Sequence, residues 1–328
     1  MNFIPSYKKL LQKGELQKRV ELAYNDLISC TCCPLDCKVN RIEGELGICV
    51  SGYLPIVSSY TPHFGEEPVL SGKKGAGNIF FGNCNLKCIY CQNFEISQNY
   101  KSERLHQVSH ERLSEIMLEL QGKGCHNIGL VSPTHFSSTI LKSIYLAAEK
   151  GLNLPIIYNT NGYDSVEILK LYDGVIDIYL PDIKYGNNEY AKKYSHVDNY
   201  FKYAKEAIKE MFRQVGDELV YKDNVLVRGL IIRHLVLPND LSDTEKVFKF
   251  IAEELSPNVH ISLMSQYYPT NKAYKDILLN RILRYSEYKR ALELLDKYGL
   301  CKGWIQEMES PSNYLPYFNQ DRVNPFNN

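Results

Sequence analysis

Short apolar runs that alternate with helical patterns constrain this chain more than any other feature of it. From residue 78 onward NIFFG, NIGLVS, LPIIYN, VIDIYL, VRGLIIRHLVL and VHISLM recur between amphipathic stretches. Strands alternating with helices imply a parallel sheet, because each crossover helix has to cover a sheet face. Six such units predict an α/β fold, an open or partial (β/α)6 barrel, over residues 77–328 with a C-terminal extension. In this architecture chemistry gathers at the C-terminal ends of the strands, so the residues just after each run are the candidates for function. Residues 5–28 read as a helical lead-in, 51–76 as a strand-poor connector, and 184–225 as a mainly helical insertion between the fourth and fifth strands.

The 328 residues carry 38 basic and 38 acidic side chains, so no net field draws nucleic acid or an anionic membrane surface. No apolar run follows the N-terminal lysines, and no stretch reaches the roughly 18 apolar residues of a bilayer span. A cytoplasmic protein with neither a nucleic-acid nor a membrane partner is expected. Ten cysteines in such a chain point to metal ligation, since a reducing compartment keeps thiols from pairing. Five lie between Cys30 and Cys49 and three between Cys84 and Cys91, while Cys125 and Cys301 stand alone and read as ordinary buried thiols.

Immediately after the first strand comes GNCNLKCIYCQN, which spaces Cys84, Cys88 and Cys91 as CxxxCxxC. Three thiolates on a four-iron cubane leave one iron without a protein ligand, free to chelate something else. A zinc knuckle is the plainer alternative, but zinc takes four ligands and none is supplied nearby. Cys30, Cys33, Cys37 and Cys49 could close a second site completely, and thiolates suit either a second 4Fe–4S cluster or a structural zinc. Cys32 could replace Cys33 by a shift of one residue; the CxxC spacing favours Cys33. Residues 1–76 are therefore expected to form a helix, a cysteine-rich metal-binding segment and a connector.

Beyond these spacings, the segments CTCCPLDC, HFGEEPVLSG, GNIFFGNCNLKCIYCQN, VSPTH, YNTNGY, YLPDIKY, RHLVLP, SLMSQYYP and GWIQE resemble the radical S-adenosylmethionine (SAM) superfamily. In particular they resemble the pyruvate formate-lyase activating enzymes and their PflX-like branch. The resemblance implies a partial TIM-like barrel in which Cys84, Cys88 and Cys91 carry the catalytic 4Fe–4S cluster and its open iron binds SAM. One electron, from a flavodoxin- or ferredoxin-type donor, would then cleave SAM to a 5′-deoxyadenosyl radical that abstracts hydrogen from a substrate. It also places Tyr90 near the adenine, aligns Asn161 with a TNG turn, and matches Asp182 and Lys184 to a DLK pattern that meets SAM. Most of the superfamily has a glycine–glycine–glutamate motif after the second strand, whereas this chain has Ser132, Pro133, Thr134 and His135.

Several of these residues carry a plainer reading. Asn159–Gly162 also fits an ordinary turn. Asp182 and Lys184 could simply pair with neighbours, and Arg233 could fill a strand-end salt bridge rather than fork a carboxylate. His135 and His234 titrate in the range of acid–base catalysis but more often are hydrogen-bonded structural residues. Gln266, Tyr267 and Tyr268 could line a cavity mouth, although in a chain with 25 tyrosines packing is the default. His63, Glu66 and Glu67 read first as a connector with solvated carboxylates and second as a flap that offers a polar group to substrate. Three functions follow: an activase of a glycyl radical enzyme or another protein or peptide modifier, a radical SAM enzyme for a small molecule, or a non-catalytic iron–sulfur electron-transfer or sensor protein.

Overall fold

All six apolar runs become strands in the computed structural model, which describes residues 3–308 and 315–326. In chain order the strands are β1 (Val57–His63), β2 (Ala76–Phe81), β3 (Ile128–Val131), β4 (Ile156–Thr160), β5 (Ile178–Pro181), β6 (Val220–Lys222), β7 (Val225–Leu235), β8 (His260–Met264) and β9 (Gly303–Ile305). They form one sheet in the order β1-β2-β3-β4-β5-β7-β8-β9, with β6 paired to β7 outside that path. From β2 to β9 every neighbour along the path is parallel. Every residue of β2, β3 and β5 is buried. Burial on both faces explains why these strands read as continuous apolar runs instead of alternating.

Three strands escaped the sequence pattern, β1, β9 and the short β6 inside the insertion. The connector 51–76 is not strand-poor, because β1 pairs antiparallel with β2. Its sequence, VSSYTPH, lacks an apolar alternation, and Pro62 is tolerated because β1 is an edge strand. At the other edge β9 is only three residues long. It pairs with β8 because residue 303 is glycine: a Cβ there would lie 1.9 Å from the Ile261 carbonyl oxygen.

The helical lead-in is two helices, Ser6–Gln12 and Glu15–Ile28, broken at Gly14, which takes φ +68. The second lies on helix Ser137–Glu149, which buries Ile140, Leu141, Ile144 and Ala147 against the sheet. The insertion is mainly helical as expected, with helices Asn188–Ser195 and Tyr200–Val215 ahead of β6. Residues 30–50 contain neither helix nor strand.

The first helix closes the N-terminal edge of the sheet, opposite the edge where chemistry is expected. Its Ser6 N–H donates to Asp177 Oδ1 at 2.9 Å, just before β5, and the Tyr7 hydroxyl donates to the Leu154 carbonyl at 3.0 Å, just before β4. Asp177 is fully buried, and desolvation pushes its pKa up from 3.8 to about 6. Folding therefore favours its protonated form. The stabilisation so gained is complete below the unfolded value of 3.8 and is lost as pH rises through about 6. Urea denaturation across this interval should show the native chain losing up to about 3 kcal/mol relative to D177N; a difference that does not change with pH would remove Asp177 from the account.

Candidate active site

The cysteine triplet sits on the loop that leaves β2, and the loop is clamped from three directions. Helix Asn188–Ser195 supplies carbonyls from its last turn: Lys87 N–H donates to the Ser195 oxygen at 3.2 Å and Ile89 N–H to the Tyr194 oxygen at 2.9 Å. Gln98 and Asn271 donate side-chain N–H groups to the Cys88 carbonyl at 2.8 and 3.3 Å. Lys272 N–H reaches the Ile89 carbonyl at 2.9 Å, and Gln92 donates to the Gln266 carbonyl at 2.9 Å. Loop conformation is thus set by surrounding backbone and side-chain amides rather than by the sulfurs.

Each sulfur also has a polar neighbour. Cys84 Sγ accepts from Leu86 N–H at 3.4 Å and from Asn161 Nδ2 at 3.5 Å. Cys88 meets the Ser195 hydroxyl at 3.0 Å and Cys91 the Ser97 hydroxyl at 3.2 Å. Burial pushes all three thiols up, Cys88 to about 12, although Lys184 opposes it at each. Buried sulfurs of this kind become thiolates when a metal replaces the proton, and hydrogen bonds to them tune the potential of an iron–sulfur cluster.

Sulfur spacing tests which metal suits the triplet. A tetrahedral zinc with bonds near 2.3 Å would hold its sulfurs within about 4 Å of one another. Among the described residues, the one group of three or more ligand atoms that all lie within 4.8 Å of one another is Asp26, Cys30 and Cys32. The triplet is more splayed than a single ion would permit, and its residues fit a multi-iron cluster.

All three cysteines open onto one cavity of about 890 Å³ at the C-terminal edge of the sheet. Its lining includes Tyr90, Ser132, Asn159–Asn161, Asp182, Lys184 and Arg233, so the strand-end candidates converge. Tyr90 is buried with ring centroids 6.3 Å from Tyr185 and 5.9 Å from Tyr267. The turn at Asn161 is tightly built: Gly162 takes φ +79, and a Cβ there would come 2.3 Å from the Asp182 carbonyl oxygen. Tyr200 braces the same place, its hydroxyl donating to the Asn161 carbonyl at 2.8 Å and accepting from Lys184 N–H at 2.9 Å. Ser132 occupies the left-handed region, φ +57, at the end of β3.

Charges in the cavity are paired. The Lys184 ammonium bonds Asp182; burial alone would lower its pKa, but Asp182 and the Cys88 sulfur more than reverse this. Arg233, beside Asp182 through a parallel bridge, donates Nε and Nη2 to the two oxygens of Glu67 at 2.8 and 2.6 Å and Nη2 also to Glu66. Asn78 donates to the other Glu66 oxygen at 2.7 Å. Glu66 and Glu67 side chains are only 9% and 5% exposed, so these are not the solvated carboxylates expected of a connector. The turn after β1 is a strap tied across the sheet to β7, and His63 also lines the cavity.

Other candidates separate from the site. His135 is wholly buried, hydrogen-bonds the Gly82 carbonyl at 2.8 Å, and is driven by desolvation to about 3. Desolvation likewise takes His234 to about 4 while it bridges the Ile183 carbonyl and the Thr244 hydroxyl. Neither lines the cavity, and both are structural. Gln266, Tyr267 and Tyr268 do line it; Tyr267 is buried with its hydroxyl on the Leu279 carbonyl, while Tyr268 is 36% exposed. Cys125 is buried as expected, but Cys301 is exposed. In the N-terminal loop it is Cys32, not Cys33, that joins Cys30 and Asp26 in the tight group, while the Cys37 sulfur lies against Gly47. Ser195, Ser97, Asn85 and Arg41 were not singled out by sequence, since none sits at a spacing that marks it.

The family model described as Radical SAM superfamily matches residues 78–221, from β2 through the insertion. Uncharacterized protein MJ0674 of Methanocaldococcus jannaschii is 37% identical over 298 residues, covering 87% of this chain and 79% of that protein. Uncharacterized protein MJ0808 of the same organism is 27% identical over 180 residues, 51% of this chain and 52% of its own length. A solved structure of TYW1 with a lysine-pyruvate adduct bound aligns over 71% of this chain and 78% of that chain, with 13% identity and a TM-score of 0.42, too slight a likeness to carry an argument.

Arg233→Ala leaves two buried carboxylates facing each other without a cation, which should cost roughly 3–5 kcal/mol of stability. Guanidinium denaturation of R233A, and of R233M combined with E66Q and E67Q, checks this. The triple variant should recover most of the loss, and a cost under about 1 kcal/mol in R233A would mean that water reaches the strap.

Proposed function

We propose, from the match of residues 78–221 to the Radical SAM superfamily, that this chain reductively cleaves SAM at the Cys84, Cys88 and Cys91 site and passes the resulting radical to a substrate in the adjoining cavity. A 4Fe–4S cluster on these cysteines, with SAM on its remaining iron, would supply the electron and the 5′-deoxyadenosyl radical. The chain's own residues do the rest. Asn161 holds the Cys84 sulfur with a side-chain N–H and keeps the loop's register through Asn85, at 2.7 Å. Lys184, with Asp182 as its counter-charge, presents a buried ammonium suited to a carboxylate. Tyr90, Tyr185 and Tyr267 exclude water behind the cysteines. Arg233 lines the cavity with its Nε and Nη2 engaged by the strap.

The observation that carries this reading is the convergence of three splayed, hydrogen-bonded thiols and the strand-end polar residues on one cavity. The motifs HFGEEPVLSG, VSPTH and YLPDIKY support the PflX-like branch, and with it a partial barrel over residues 77–328, a metal-binding segment over 1–76, and a flavodoxin- or ferredoxin-type donor. A glycyl radical activase or another protein or peptide modifier is the reaction this branch suggests. A small-molecule substrate gains support from one feature: Asn324, Pro325 and Phe326 of the C-terminal segment line the cavity, with the Phe326 ring centroid 4.3 Å from that of His63.

Anaerobic reconstitution with iron and sulfide, reduction by dithionite or flavodoxin, and quantification of 5′-deoxyadenosine test the proposal. Product should form in the native chain and fall to background in C84A, C88A and C91A. Product that persists without these cysteines, or that never forms while clusters are present, would sink it and favour an electron-transfer or sensor protein.

A further inference from the structure

We propose that the loop between β8 and the helix Tyr285–Lys297 is the docking surface for a flavodoxin, an acidic carrier that brings the electron to the cysteine triplet. This rests on the radical SAM reading and adds where its reductant binds.

Length and anchoring single the loop out. Between β8, which ends at Met264, and the helix that starts at Tyr285, one short turn of helix, Ala273–Lys275, is the only regular structure. A stretch of this length without helix or strand in a packed domain is characteristic of a functional loop. It is firmly held. Ala273, Leu279 and Leu283 are buried, the Tyr267 hydroxyl donates to the Leu279 carbonyl at 2.7 Å, and Asn239 donates to the Leu278 carbonyl at 2.7 Å. Exposure of its other side chains is therefore built in.

Those side chains are apolar and basic. Tyr274, Ile277, Leu278, Ile282 and Tyr285 are exposed, Ile277 by 84% and Tyr285 by 74%. Large apolar groups left together in water mark a surface that a partner covers. Lys272, Lys275 and Arg284 stand among them, all exposed, and none has a carboxylate within 4.0 Å among the described residues. The nearby acids are already engaged, Asp276 by Lys193 at 3.5 Å and Glu287 by Arg281 at 2.7 Å. In a chain without net charge, this is a local positive field interleaved with apolar side chains.

The loop touches the triplet without entering the cavity. Lys272 N–H donates to the Ile89 carbonyl at 2.9 Å and Asn271 to the Cys88 carbonyl at 3.3 Å. Yet none of residues 269–285 lines the cavity, and neither does Ile89. A partner seated here meets the cysteine loop through two backbone carbonyls and places no group inside the cavity. What it can deliver is an electron. A protein substrate is different, since its reacting atom has to enter the cavity. A flavodoxin matches the surface: its flavin presents an apolar edge to the tyrosine and isoleucine side chains, and the acidic residues around that edge meet Lys275 and Arg284. On transfer the anionic reduced flavin loses one electron and becomes a neutral radical. The iron–sulfur centre on Cys84, Cys88 and Cys91 gains that electron, and no proton moves.

Flavodoxin titrated into the full chain tests the docking, with or without reconstituted iron, because the surface alone is needed. Affinity should fall about tenfold or more in K275E/R284E and should also weaken in I277S. Native affinity should drop as salt rises from about 50 to about 200 mM. Thermal melting of both variants should match the native chain, since only exposed side chains change. In reconstituted protein, 5′-deoxyadenosine formed with reduced flavodoxin should drop about tenfold or more in K275E/R284E, while that formed with dithionite stays native. Equal affinity in the variants, no binding by the native chain, or capture of a ferredoxin in place of flavodoxin overturns the proposal. Loss of the dithionite-driven product in K275E/R284E overturns it too, by assigning the surface to substrate. A native chain that binds flavodoxin as described but makes no 5′-deoxyadenosine with dithionite would instead defeat the radical SAM reading and leave the docking surface standing.

Discussion

Parallel strands must deliver all their C-terminal ends to the same edge of the sheet, and the site is a consequence of that constraint. The cysteine loop after β2, the Asn161 turn after β4, Asp182 and Lys184 after β5 and Arg233 near the end of β7 come from distant parts of the sequence yet share one cavity. The opposite edge is sealed by the first helix through Ser6, Tyr7 and the buried Asp177. Stability and chemistry thereby occupy opposite edges of the same sheet, as in barrels built on this plan.

Within the cavity, buried charge is tolerated because every ion has a partner. Arg233 holds two carboxylates, Lys184 holds one, and Asn78 completes Glu66. These pairs connect elements that no backbone hydrogen bond joins, since Glu66 and Glu67 follow the edge strand β1 while Arg233 lies on β7. The C-terminal segment uses the same device: Arg322 pairs at 2.7 Å with Glu103, whose side chain is fully buried, and Phe318 and Phe326 pack on Phe80. Strap and tail are thus pinned by ion pairs that would be weak in water and are strong here only because water is excluded.

Much of this was legible in the sequence. Burial on both faces writes a strand as an unbroken apolar run, so six of the seven parallel strands could be read, and the CxxxCxxC spacing marked the triplet without help from the fold. β1 and β9 were hidden because an edge strand needs no apolar alternation and a three-residue strand has no pattern. The strap was misread for a physical reason: Glu66 and Glu67 look solvated in the sequence, and only Arg233, over 160 residues away, makes their burial affordable. Cys32 and Cys33 are adjacent, so spacing could not decide which of them packs with Cys30; the Asp26 carboxylate, which accepts from the Cys32 sulfur at 3.0 Å, favours Cys32 in the tight group. Ser195 illustrates the limit, since a helix terminus acquires meaning only from what docks on it.

The clamps around the cysteine loop bear on how a metal site there would be assembled. Carbonyls of Tyr194 and Ser195, with amides from Gln98, Asn271 and Lys272, hold residues 87–91 in place before any metal arrives. Inserting a cluster there costs little ordering entropy, because the surrounding protein has already supplied it. Residues 30–50, with neither helix nor strand, are held by loop hydrogen bonds of their own, Cys30 N–H to the Val39 carbonyl at 3.0 Å and Arg41 N–H to the Leu27 carbonyl at 2.8 Å. The site at the sheet edge is a receptacle ready at folding, shaped by the protein before anything enters it.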